Sequence, residues 1–262
     1  VVYGCIDSTA FNYNAGANTD DGSCCGLDID SLPQIGNGIQ GQHSGQYFGF
    51  SVATNSDGNI LAVGNMGARQ LGHQYYEPAF VSVYVRDDTS WTQLGNSIFS
   101  QSSGTISQKH VSLNDNGNIL AVGTVSDGAD SRGDVRIYEW DGYNWNQIGD
   151  TIDGQSSTEG FGYSVSLNST GNLISAGAPY GGANQRGVVR TYKWDGGSWI
   201  QRGLNIDGES DYDRSGESVS LSSDGNRVAI GAPDNDGNGS MSGHVRIYDW
   251  NGSTWTQVGQ DI

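Results

Sequence analysis

Two stretches of this chain carry oxygen side chains at spacings that could hold a hard cation. Asp234, Asp236 and Asn238 fall at positions 1, 3 and 5 of the run 234–239, with glycine sixth, as at the start of an EF-type calcium loop. Position 12 is Val245 where such a loop needs a bidentate glutamate, so a polar loop between strands is the plainer reading. Asp7, Asn12, Asn14, Asp20 and Asp21 crowd a second stretch bounded by cysteines. A loop that small has little core and would gain from a metal. Calcium is the one cofactor suggested, and otherwise none.

Groups for acid–base or nucleophilic chemistry are sparse. The four histidines are His43, His73, His110 and His244, and the last two occupy strand positions that other repeats fill with Ser or Val. Arg69, His73, Tyr75, Tyr76 and Glu77 sit in a loop at 65–78 that is longer than its counterparts. That loop is the place for a specific ligand contact, against the plainer reading of a decorated insertion. No nucleotide loop, nucleophile elbow or His-rich metal motif is present. A carboxylate pair for glycoside hydrolysis is not nameable among 29 acidic residues. Catalytic residues are therefore expected to be none.

Cys5, Cys24 and Cys25 all lie in the first 25 residues. Clustered cysteines in a short loop-rich segment read as a disulfide module in an oxidising compartment. Cys5 pairs with Cys24, leaving Cys25 spare or intermolecular, or else with Cys25. Three cysteines with no histidine before His43 fit tetrahedral zinc poorly.

The elements that must position these groups are repeats. SVATNSDGNILAVG (51–64), HVSLNDNGNILAVG (110–123), SVSLNSTGNLISAG (164–177) and SVSLSSDGNRVAIG (218–231) are one phrase with small edits. Their closing glycines, Gly64, Gly123, Gly177 and Gly231, are 59, 54 and 54 residues apart. A second phrase follows each, ending W-x-Q-x-G at Trp91, Trp145, Trp199 and Trp255. Within 161–168, Phe161, Tyr163, Val165 and Leu167 alternate with period two, and 173–177, 188–194 and 199–203 read as further short strands. Asp-Gly and Asn-Gly turns join them. Four strands per repeat, four times over, predict an all-β, propeller-like array of four-stranded antiparallel blades, with repeats at about 40–97, 98–151, 152–205 and 206–262. A small disulfide-tied module precedes it at 1–26, and the array takes 27–262. Trp140/Trp145, Trp194/Trp199 and Trp250/Trp255 flank hairpin turns and should touch across the ladder as clamps, or else stack on sugars. A Trp-less copy of the closing phrase at 32–36 makes one fourth-type strand too many. The segment 255–262 is then spare, an edge open to another chain. The chain also begins and ends in mid-phrase, as a trimmed segment of a longer precursor would.

Twelve basic residues against 29 acidic give a formal charge of −17. That excludes nucleic acid, which needs Lys/Arg patches, and argues against an anionic membrane surface. No apolar run approaches the roughly 20 residues of a membrane span, so direct insertion is not expected. Asn168, Asn238 and Asn251 open glycosylation sequons.

SVSLSSDGNRVAIGAP with GAPDNDGNGSMSGHVRIYDW after it resembles FG-GAP-like repeats, the blades of integrin alpha-subunit propellers and of secreted microbial and algal proteins. The resemblance covers about 31–262 and implies an extracellular propeller for adhesion or scaffolding. That family's hairpin calcium sites do not carry over, because the turn at Ser222–Arg227 is short and ends on an arginine. The opening 4–24 resembles a Cys-bounded module of secreted marine bacterial and algal proteins. These readings set the expectation of a secreted, non-enzymatic structural or adhesive protein, a scaffold or filament subunit self-assembling through an edge strand. The alternatives are a glycan-binding lectin-like propeller and, last, a propeller hydrolase.

Overall fold

The computed structural model describes residues 1–8, 13–24, 34, 36–69, 76–99, 109–125 and 131–262. The chain divides into two compact units, Val1–Asn37 and Gly38–Ile262. In the first, a Cys5–Cys24 disulfide closes a loop carrying bridges between Tyr3 and Thr19 and between Cys5 and Tyr13.

The second unit is built of β-sheets. The first sheet holds β1 (Ser51–Thr54) and β2 (Ile60–Gly64). A two-stranded excursion follows, β3 (Ala68–Arg69) with β4 (Tyr76–Glu77). β5 (Phe80–Arg86), β6 (Trp91–Gln93) and the short β7 (Ile98–Phe99) complete the sheet. The second sheet is β8 (Lys109–Leu113), β9 (Ile119–Thr124), β10 (Asp134–Trp140), β11 (Trp145–Gln147) and β12 (Ile152–Asp153). The third repeats it as β13 (Ser164–Leu167), β14 (Leu173–Ala178), β15 (Val188–Trp194), β16 (Trp199–Gln201) and β17 (Ile206–Asp207). The fourth has β18 (Ser218–Leu221), β19 (Arg227–Ala232), β20 (His244–Trp250) and β21 (Trp255–Gln257).

All pairings within these sheets are antiparallel, and the four main strands of each pair in chain order, as the repeated phrase predicts. The extra strands lie elsewhere than expected. Trp255–Gln257 is the fourth sheet's own outer strand, paired with Tyr248–Trp250, and the additional pieces are β7, β12 and β17. Ile262 makes the equivalent pairing, exchanging both backbone hydrogen bonds with Val245. The third repeat's first strand also starts later than the alternation suggests. Gly162, at φ 86°, turns the chain, and Phe161 bridges to Gly133 of the preceding sheet instead.

The cores lie between sheets. Val81 and Val83 pack with Val111, Leu120 and Val122, and Ile119, Ala121, Val135 and Ile137 with Ile174, Ala176 and Tyr192. Val189 and Ile206 pack with Val228 and Ile230. β9 and β14, covered on both faces, are buried throughout, whereas β19 alternates. Each junction repeats the same bonds. Trp145, Trp199 and Trp255 donate their indole N–H, at 3.1 Å, to the carbonyls of Leu94, Ile148 and Arg202 in the sheet before. The tryptophan pairs touch at 5.3–5.5 Å between rings, so the clamp also staples neighbouring sheets.

Candidate functional site

One position on the third strand of each sheet separates the first sheet from the others. Val81, Val135, Val189 and Val245 take the same register against the closing strand, and the next residues are Ser82, Arg136, Arg190 and Arg246. A guanidinium held in a sheet interior needs a carboxylate. Arg136 has Asp134 at 2.7 Å, and Arg190 grips Glu159 through two bonds of 2.8 and 3.0 Å with both side chains buried. Arg246 bonds Asp261 at 2.9 Å and also Glu209.

Glu159 comes from the loop before β13, whose backbone recurs before β1 and before β18, where the matching residue Asp213 accepts from Ser210 and Asn235 rather than from an arginine. Thr158 and Gly160 take positive φ, which aims residue 159 inward, where its Oε1 accepts the N–H of Gln155 at 2.6 Å. Gly45 and Tyr47 repeat that backbone in the first sheet. There the inward residue is Gln46, whose Oε1 accepts the N–H groups of Gln42 and His43 at 3.0 and 3.3 Å. The first sheet therefore lacks both halves of the ion pair, Ser82 replacing the cation and Gln46 the anion.

A cavity of about 250 Å³ occupies the place. Phe48, Phe80, Tyr84 and Phe99 form its aromatic wall, with Phe48 edge-on to Tyr84 at 6.4 Å and tilted to Phe80 at 6.3 Å. Phe161 and Tyr192 repeat the edge-on contact in the third sheet, where Arg190 lies 5.3 Å over the Phe161 ring. The guanidinium's space is thus the space left open beside Ser82. A polar chain runs inward from the exposed Gln93, which donates to Ser97 at 3.1 Å, and the Ser97 and buried Ser82 hydroxyls share a bond of 2.7 Å. Burial raises the Tyr84 phenol above its ordinary pKa, with a hydrogen bond from Ser82 opposing, so it remains a neutral hydroxyl. His43 and Gln42 stand at the exposed rim. Among the described lining residues there is no lysine, arginine, aspartate or glutamate.

The residues singled out from sequence lie elsewhere. Arg69, Tyr76 and Glu77 fall on the two-stranded excursion. Asn12, Cys25, His73 and Tyr75 lie outside the described residues. Asp20 and Asp21 accept the N–H groups of Gly22 and Ser23, and Asn14 that of Gly16. The Asp7 backbone carbonyl lies 3.8 Å from the Cys5 disulfide sulfur. Asp234 pairs with Arg214 at 3.0 Å, Asp236 accepts the N–H of Met241, and the Asn238 N–H reaches Ser242. Asn168 is buried, its carbonyl holding the N–H of Leu173, whereas Asn251 is exposed. Among the described residues one group of three could offer ligands to a metal, Glu209, His244 and Asp261. Arg246 already neutralises both carboxylates and holds Asp261 below its usual pKa. His110 stacks on Tyr163 at 5.2 Å and meets Phe50 edge-on, and burial lowers its pKa to about 4. It is a neutral packing residue at physiological pH.

Sequence reasoning missed Gln46, Ser82, Gln93, Ser97 and the aromatic wall. The signal was present in the third-strand phrase, where V-R becomes Val81-Ser82.

The sequence matches no protein-family model and no curated protein. Solved structures do match. One from Bacteroides uniformis, put forward as a 6-phosphogluconolactonase, aligns with a TM-score of 0.52 at 12% identity, over 80% of this chain and 71% of that one. A second, from Bacteroides fragilis and put forward under the same activity, aligns at 0.52 and 14% identity, over 80% and 70%. The class is a β-propeller-like fold. The expectation of a non-enzymatic scaffold is corrected by this match, because the propellers the fold resembles are named for an enzyme activity.

Proposed function

We propose that this protein is a propeller hydrolase that opens a cyclic ester, a lactone, in the cavity of the first sheet. The observation that carries the reading is that cavity, with His43 at its rim and hydroxyls on its floor. The activity named for the matched structures supports lactone opening as the reaction class. In this reading His43 takes a proton from water as the water oxygen bonds to the ring carbonyl carbon. The Tyr84 hydroxyl donates to the oxyanion that forms. Collapse breaks the ring C–O bond, and the proton on His43 passes to the departing alkoxide. Water and lactone become a hydroxy acid, with no oxidant or reductant required.

The test is acid release from δ-gluconolactone and its 6-phosphate near neutral pH, corrected for buffer hydrolysis. Acceleration that falls by about 100-fold in His43→Ala is expected. A rate equal to buffer for both lactones refutes the proposal. The Cys5–Cys24 disulfide supports placing the propeller in an oxidising, extracellular setting. The glycine-alanine-proline phrases at 177–179 and 231–233 support describing its blades as FG-GAP-like.

A further inference from the structure

We infer that the first-sheet cavity is built for an uncharged, polyhydroxylated ring, a sugar or sugar lactone without a phosphate. The inference rests on the site proposed above and narrows its substrate. The matched structures are named for a phosphorylated lactone, and the chemistry of this cavity differs from what a phosphate needs.

The argument starts from what the repeat would have put there. Arg136, Arg190 and Arg246 each bring a cation to this point, and each meets a carboxylate. Losing one partner alone would leave a buried charge unpaired, at severe cost. The first sheet loses both together, as Ser82 and Gln46, so the space is opened without stranding a charge. Both are nearly fully buried, at 2% and 5% exposure, and both present neutral hydrogen-bonding groups. A dianionic phosphate would have to shed its hydration with no lysine or arginine among the described lining residues to receive it.

Size and shape agree. An engineered cavity of about 150 Å³ holds benzene, so about 250 Å³ accommodates a six-membered ring with its hydroxyls. A sugar ring has apolar C–H faces and a polar rim. The Phe80–Phe99 wall, with centroids 5.7 Å apart, meets the first. The amides and hydroxyls of Gln46, Ser82, Ser97 and Gln93 meet the second, the usual division of labour in a small-molecule site. Hydroxyl-donating ligands gain from such a site because its buried polar groups stay paired when the ligand enters.

The experiment is calorimetric or saturation-transfer titration of the whole chain with glucose and with glucose 6-phosphate. Glucose should bind, and its phosphate about tenfold or more weaker. The Ser82→Arg/Gln46→Glu variant installs the third sheet's ion pair and should abolish glucose binding while keeping the wild-type circular dichroism spectrum. If that variant does not fold, Phe99→Ala serves, because Phe99 is 55% exposed; about fivefold weaker binding is expected. Equal or tighter binding of the phosphate overturns the inference, as does absence of glucose binding. So does a folded double variant that binds glucose like the wild type. Glucose binding without lactone opening leaves this inference standing and removes the hydrolase reading. Opening that prefers the phosphorylated lactone does the reverse.

Discussion

Replacing Gly149 by alanine tests whether the sheets are held together by the tryptophan staple. A Cβ on Gly149 would lie 2.6 Å from one ring carbon of Trp194 and 3.0 Å from Trp199, both in the next sheet. Its φ is +70°, where an L residue costs about 1 kcal/mol. Gly259 is the natural control. It closes the same W-x-Q-x-G phrase at φ +75°, but nothing lies within 4 Å of its built Cβ. Gly259→Ala should therefore cost only the backbone strain, about 1 kcal/mol. Gly149→Ala should add about 1–3 kcal/mol of overpacking. If the indole of Trp199 is pushed off the Ile148 carbonyl, the loss of that 3.1 Å bond adds about 1 kcal/mol more. Urea and thermal unfolding, followed by tryptophan fluorescence, give the comparison. At about 2–4 °C per kcal/mol for a chain of this size, the two variants should melt several degrees apart. Equal midpoints would refute the idea that inter-sheet indole packing, rather than backbone conformation, is what requires glycine at this place in the phrase.

Other outcomes follow from the buried charges. Arg190→Ala leaves Glu159 unpaired in the third sheet and should cost about 3–5 kcal/mol in chemical denaturation. Adding Glu159→Gln to Arg190→Ser should restore at least about half of the loss in a double-mutant cycle; no restoration would show that the pair is not the unit that matters. His110 has a folded pKa of about 4 against an ordinary 6.5, so its neutral form is the one the fold favours. Its contribution is present above the ordinary value and is lost as pH falls from 6.5 toward 4, by about 3 kcal/mol in full. His110→Ser, which supplies the residue found at Ser51, Ser164 and Ser218, should flatten the acid limb of a stability–pH curve over that interval. An unchanged limb would place the acid sensitivity elsewhere.

Much of the fold was legible because a sheet's periodicity is local. Asp-Gly and Asn-Gly turns between alternating runs fixed the hairpins, and residues flanking a turn must face each other, as Trp194 and Trp199 do. The bond from Trp199 to Ile148 was not legible, because an inter-sheet contact depends on how one blade docks on the last. The late start of the third repeat's first strand was missed for a similar reason. Phe161 keeps the alternation, but Gly162 turns it into a bridge to another sheet.

The candidate site divides the same way. The sequence by itself determined that Ser82 stands where three repeats carry arginine, because strand register is counted along one phrase. Only the tertiary structure decided that Gln46 lies across from it. The loop before the first strand turns through Gly45 and Tyr47 and aims its side chain inward, and the cavity lining joins it to residues on β5, β6 and β7. A missing arginine is a substitution in a string. A missing arginine facing a missing carboxylate is a cavity without that ion pair, and the juxtaposition exists only once the chain has folded back on itself.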